Sequence, residues 1–237
     1  VKPGMKRSTW LTKETIIWSK IIPYLGQRKV SEITAKDVID WQNTIRKLKN
    51  KAGKPISPTY LKTIHGQLSA IFNHAMKFYD LAANPAQKAG TMGAEESKEM
   101  EFWTKEEYLK FSEAMMDKPL SYYAFELLYW CGVREGELLA LSPSDFNFEK
   151  RTLRINKSYQ RLEGEDVIST PKTKNSNRIV KMPQFLCNEM QDFFKQYYSL
   201  QPEDRIFPVT KYYLSHEMDR GCKESGVKRI RVHDLRH

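Results

Sequence analysis

Residues Trp130–Leu141 read W-C-G-V-R-E-G-E-L-L-A-L. Leu127, Leu128 and Cys131 on one side and Leu138, Leu139 and Leu141 on the other place apolar residues at helical spacing around Gly132. The spacing predicts one helix ending near Gly132 and a second starting at or just after it. Arg134 falls at the junction, and Glu137 three residues on shares its helical face. Two readings are open. The pair is a surface ion pair capping a helix start, or the junction offers a guanidinium whose planar fork matches two oxygens of a phosphate.

Working outward, Phe102–Leu109 (F-W-T-K-E-E-Y-L) opens a helix with Thr104 as cap and Glu107 completing a capping box. A further helix, Tyr122–Trp130, leads into the junction. After Pro143 the pattern changes to short alternating or β-branched runs at Arg151–Tyr159, Asp166–Ser169 and Arg178–Met182. Polar turns separate them, so a three-stranded antiparallel sheet is expected. Pro183 begins another helix, Tyr212–Glu224 gives one more, ended by Gly226, and Val232–His237 (V-H-D-L-R-H) looks like a helix start.

Towards the N-terminus the chain reads as helical throughout. Residues 10–26 form a first helix broken by Pro23 and Gly26, and Thr34 with Asp37 caps a second. Ser57-Pro58-Thr59 begins a third, and Asn84-Pro85 stops the structure. The expected fold is therefore mainly α with a small antiparallel β-sheet. It divides into a helical domain over 1–88, a linker over 89–101 and an α+β domain over 102–237.

The formal charge of +10 is unevenly spread. Residues 1–98 hold 17 Lys+Arg against 7 Asp+Glu, and residues 99–237 hold 22 of each. All of the excess lies in the first part, which a polyanion partner, most simply nucleic acid, explains better than solubility does. Arg46–Pro55 (R-K-L-K-N-K-A-G-K-P) concentrates this charge. A charge run is often only a solvated turn, but Lys47, Lys49, Lys51 and Lys54, with Lys62 on the next helix, are candidate phosphate contacts. Cys131, Cys187 and Cys222 are far apart and odd in number, which argues against a disulfide framework or zinc site and fits a reducing interior. Neither a long apolar run nor a signal peptide is found, so a cytoplasmic protein without membrane association is expected. No cluster of carboxylates sits at ligand spacing, which disfavours a metal-dependent nuclease.

The second domain adds the turn lysines Lys172 and Lys174, and His233 with Arg236 on one face of the last segment. Two guanidiniums, an imidazole and a lysine would make a phosphodiester clamp with acid/base groups. In this order they resemble the tyrosine recombinase (phage-type integrase) family over essentially the whole chain. G-V-R-E-G-E-L-L-A-L is similar to its arginine box, T-P-K-T-K to its hairpin lysine segment and His233-Asp234-Leu235-Arg236 to its H-x-x-R box. Ile22–Val38 (I-P-Y-L-G-Q-R-K-V-S-E-I-T-A-K-D-V) is similar to the opening of its DNA core-binding domain. The hairpin texture leans towards integrases of conjugative transposons or temperate phages.

The resemblance implies a helical core-binding domain followed by a catalytic domain, and a bacterial enzyme that exchanges DNA strands through a 3′-phosphotyrosyl intermediate without cofactor. It implies Arg134 and Arg236 on the phosphate, Lys172 (or Lys174, the second choice) as general acid, His233 as acid/base and Glu137 as an orienting carboxylate. Lys174 otherwise joins the DNA contacts. Implied partners are double-stranded attachment sites, a homo-tetramer on DNA and an excisionase-type directionality factor. The family's third histidine and tyrosine nucleophile lie past the H-x-x-R box, and the sequence stops one residue past Arg236. The expectation for residues 1–237 alone is DNA binding without cleavage. A DNA-binding protein of the same fold without strand exchange is the alternative.

Overall fold

A computed structural model of the chain describes residues 4–94, 99–170, 177–196 and 200–236. The chain forms two compact units, Val1–Lys98 and Glu99–His237.

In the first unit α1 (Arg7–Ile16) passes through a π-helical turn (Ile17–Ile21) into α2 (Ile22–Leu25). The expected break at Pro23 does not occur, and the helical path ends only at Gly26. A proline lacks an N–H and its ring crowds the carbonyl four residues back. The wider π turn just before it, in which Ile22 N–H donates to Ile17 O, relieves that crowding. Trp41 on α3 (Ala35–Arg46) donates its indole N–H to Lys20 O of the same turn at 2.7 Å. Thr34 caps α3 with Asp37 in the expected reciprocal box, and Arg28 pairs with that aspartate.

Ser57 caps the 21-residue α4 (Pro58–Phe78), and Asn84 caps α5 (Pro85–Ala89). Ile16, Val38, Ile45, Ile64, Leu68 and Phe72 fill the core between them. Between α3 and α4 the basic segment makes a tight turn, closed by Asn50 N–H to Lys54 O and by a Lys49–Pro55 bridge.

The second unit begins with α6 (Lys105–Ala114), capped by Thr104 and Glu107 as expected, followed by α7 (Pro119–Cys131) and the single turn α8 (Glu135–Leu138). Among the described residues five strands follow: β1 (Phe146–Asn147), β2 (Thr152–Ile155), β3 (Ser158–Leu162), β4 (Glu165–Ser169) and β5 (Arg178–Lys181). Then come α9 (Gln184–Lys195), α10 (Lys211–Ser225) and a 3-10 turn, Val232–Arg236. Phe111, Phe125, Leu138, Leu153, Phe193 and Leu214 lie in one continuous core.

The mainly α class with a small antiparallel sheet is the observed one, but the expected strand pairing is not. Arg151–Tyr159 is two strands in two ladders, β1-β2-β5 and a separate β3-β4 hairpin. The break falls at Asn156-Lys157. There the Lys157 ammonium reaches back to the fully buried Asp145 carboxylate at 2.8 Å and to Ser142 Oγ at 2.6 Å. The chain leaves the β2 ladder at that anchor. β3 and β4 turn through Glu163-Gly164, both at positive φ as a two-residue hairpin turn requires.

Candidate active site

The site is built on the α7–α8 junction. α7 stops because Gly132 takes a left-handed conformation, φ 57° and ψ 31°. The reversal buries Val133 and leaves Arg134 extended at the head of α8. Gly136, in the middle of that turn, lies flat on β3. A β-carbon there would meet Ser158 Oγ at 2.6 Å and Tyr159 O at 3.1 Å. The close approach fixes the height of α8 above the hairpin.

Glu137 is buried beneath Arg134 and accepts from two arginines. Its Oε2 takes the Arg134 backbone N–H at 2.9 Å, and its Oε1 takes Arg134 Nη1 at 3.0 Å. Arg178 on β5 grips the same carboxylate with both terminal nitrogens, Nη1 to Oε1 at 3.0 Å and Nη2 to Oε2 at 2.8 Å. Burial works against the charged form of Glu137. Hydrogen bonds from Arg178 and from the backbone and side chain of Arg134 outweigh it and hold the carboxyl below its ordinary pKa. The pair caps α8, and the Arg134 side chain is still 50% exposed.

Arg236 comes to this place from the far end of the chain. In the 3-10 turn Val232, Asp234 and Leu235 are buried, and Arg231 holds Asp234 with two hydrogen bonds of 2.7 and 2.9 Å. The spacing leaves His233 and Arg236 on the outer side. A β-carbon on Gly132 would lie 4.0 Å from the Arg236 β-carbon, so the turn docks against the junction itself. Burial first, then repulsion from Arg134 and Arg178, lowers the Arg236 pKa, and Glu137 opposes the shift. Three guanidiniums close enough to feel one another, two of them bonded to the single carboxylate, form a place with excess positive charge, suited to an anion.

His233 is exposed and lies in the field of Glu135, together with Lys211 and Arg229. Burial raises the Glu135 pKa, and those three cationic or titratable neighbours oppose it. A cavity of about 190 Å³ beside Arg236 is lined by Trp103, Tyr129, Asp234 and Leu235.

Of the residues expected from sequence, Arg134, Glu137 and Arg236 come together, and His233 projects from the same turn as Arg236. Lys172 and Lys174 lie outside the described residues. Lys47, Lys49, Lys51, Lys54 and Lys62 are all exposed on the first unit. Arg178 was not anticipated. Its sequence signals were its place as the arginine of P-K-T-K-x-x-x-R and, in R-I-V-K-M, its alternation with Val180 and Met182 on the half-buried face. Among the described residues no group of three or more His, Cys, Asp or Glu could hold a metal ion, and no helix is long and apolar enough to cross a membrane.

An arginine-box turn, strand β5 and an H-x-x-R turn thus converge about the Glu137 carboxylate in a helical unit with a small sheet. Residues 101–237 match the phage integrase family, and residues 1–46 match the phage integrase N-terminal SAM-like domain. The chain belongs to the phage integrase (tyrosine recombinase) family. It is similar to the ICEBs1 integrase of Bacillus subtilis (strain 168), 28% identical over 250 residues that cover 98% of this chain and 65% of that protein. The chain therefore spans just under two-thirds of that relative's length.

Its fold is that of the Tn1549 transposon integrase in complex with a circular intermediate DNA. The TM-score is 0.79 at 20% identity, over 99% of this chain and 80% of that one. A lambda integrase tetramer bound to a Holliday junction aligns with a TM-score of 0.68 at 20% identity, over 99% of this chain and 64% of that one.

Proposed function

We propose that the protein is a site-specific DNA recombinase that integrates and excises a mobile element by transesterification. The observation that carries this reading is the convergence of Arg134 and Arg236, about a hundred residues apart in sequence, around one buried carboxylate. In the proposed reaction a tyrosine oxygen attacks a backbone phosphorus, the 5′-oxygen leaves with a proton, and a 3′-phosphotyrosyl bond forms. The 5′-hydroxyl of a partner strand then attacks that bond and releases the tyrosine. The phosphodiester energy is retained through both steps, so neither ATP nor a metal is called for.

Arg134 and Arg236 hold the non-bridging oxygens, where charge grows in the transition state. Lys172, with Lys174 as second candidate, protonates the leaving oxygen. His233 serves as the acid/base group, and Glu137 orients Arg134. The helical unit supplies most of the phosphate contacts through Lys47, Lys49, Lys51, Lys54 and Lys62, with double-stranded attachment sites as partners. A bacterial, cytoplasmic protein that assembles as a homo-tetramer on DNA, as the lambda integrase does on a Holliday junction, fits this scheme. An excisionase-type factor for directionality fits it too.

The test is Arg134→Ala in the full-length enzyme. Covalent protein–DNA adduct should disappear while duplex binding largely survives; normal adduct accumulation refutes the assignment. The second reading, a DNA-binding protein without strand exchange, has a direct discriminator. Residues 1–237 by themselves should shift duplex DNA without forming adduct, because none of their tyrosines occupies the nucleophile's place in the motif order. If the full-length protein also forms none, the binding-only reading stands.

A further inference from the structure

We infer that Arg178 is a positioning residue for the phosphate-holding arginines, acting through the Glu137 carboxylate. The inference rests on the recombinase reading and adds to it a residue outside the arginine and H-x-x-R boxes. Arg178 opens β5 opposite Ile155, on the half-buried face of the strand, with its side chain 27% exposed. Both of its terminal nitrogens are taken up by Glu137, one on each oxygen. Arg134 gives the same carboxylate only Nη1 and its backbone N–H, and half of its side chain stays open to solvent. The two arginines therefore divide the work. One is spent on the carboxylate, and the other is left able to offer an edge to a phosphate.

Without Arg178 this division fails for two physical reasons. Arginine and carboxylate prefer two parallel hydrogen bonds. A Glu137 released by Arg178 could rotate and engage a second Arg134 nitrogen, turning the guanidinium away from its ligand. A buried carboxylate that loses its best donor also takes up a proton more readily, and a protonated Glu137 holds Arg134 weakly. The formal charge points the same way. Arg134, Arg178 and Arg236 against Glu137 leave an excess of two positive charges for a phosphodiester carrying one negative charge.

The experiment measures single-turnover adduct formation by the full-length recombinase on a nicked duplex carrying its core site. Duplex affinity and thermal melting are followed in parallel. Arg178→Gln should slow adduct formation about 10- to 100-fold while Kd moves by less than about threefold, the pattern of an interaction needed mainly in the transition state. Its rate should also lose more than the parent's as pH falls, because Glu137 without its Arg178 donors takes up a proton more readily. Combined with Glu137→Gln, the loss should be no greater than that of the worse single variant, since both remove one device.

Arg178→Lys keeps the charge but engages one oxygen at a time, so it should recover part of the rate. If Arg178→Gln does not fold, this variant carries the test through slower cleavage at unchanged Kd. Additive losses in the double variant, a Kd that rises in step with the loss of rate, or a parent-like Arg178→Gln overturns the inference alone. A parent enzyme that forms no adduct overturns the recombinase reading and the inference with it.

Discussion

Replacing Gly136 with alanine tests whether the height of α8 above the hairpin is fixed by contact. The new methyl would sit 2.6 Å from Ser158 Oγ and 3.1 Å from Tyr159 O. The hydroxyl can rotate away, but the Tyr159 carbonyl is backbone in a paired strand opposite Ile168 and cannot retreat freely. Overpacking of this kind costs about 1–3 kcal/mol. Alanine in place of glycine in a helix returns about 0.5–1 kcal/mol, so the net loss should lie within about 0–2.5 kcal/mol, centred near 1. For a unit the size of Glu99–His237 the central value is roughly 4 °C in melting temperature.

Calorimetry of the chain should show the second unit losing stability while the first keeps its transition. Adding Ser158→Gly removes the tightest contact, so the pair should be less destabilising than the sum of the singles by about 0.5 kcal/mol or more. In the full-length enzyme, cleavage should fall further than stability explains, because Arg134 rides on the same turn. A Gly136→Ala variant as stable as the parent, with no coupling to position 158, would falsify the close-contact argument.

Other consequences can be measured directly. Glu137 has a folded-state pKa below its reference of 4.5. Its charged form therefore stabilises the fold above that value, and the contribution is lost as pH falls through the folded-state pKa. The stability gap between the parent and Glu137→Gln should be widest near neutrality and close as pH falls below 4.5; a gap independent of pH would contradict the ion-pair geometry. Trp41→Phe removes the donor to the part-buried Lys20 O in the π turn, and losing such a bond costs about 0.5–1.5 kcal/mol. Chemical denaturation of the first unit reads that loss, and an unchanged midpoint would show the bond to be dispensable. Each alanine at Lys47, Lys49, Lys51 or Lys54 should weaken duplex binding on all sequences alike and lower the slope of log K against log salt by roughly 0.9. An unchanged slope would remove that lysine from the interface.

What the sequence revealed and what it hid divide along the range of the interactions. The Thr34–Asp37 and Thr104–Glu107 boxes, the Ser57 cap and the Gly132 and Gly226 helix ends are each written within about four residues, and each was legible. Pro23 misled because the remedy for a proline, a π turn anchored by Trp41, involves a residue on another helix. The split between β2 and β3 was hidden for the same reason: Lys157 finds Asp145 and Ser142 only in three dimensions. At the site, Arg134, Glu137, His233 and Arg236 stood in short motifs. Arg178 closes the P-K-T-K-x-x-x-R hairpin pattern, but its role shows only in the carboxylate it reaches, 41 positions upstream.

The docking of the Val232–Arg236 turn against Gly132 also has a consequence for biosynthesis. A ribosome releases the basic helical unit before the Arg236 turn. On the proposed function, a nascent or prematurely ended chain can adhere to DNA but carries only one of the two arginines that grip the phosphate. On that scheme the two-arginine grip on the phosphate is completed only after the Arg236 turn has emerged and docked on Gly132.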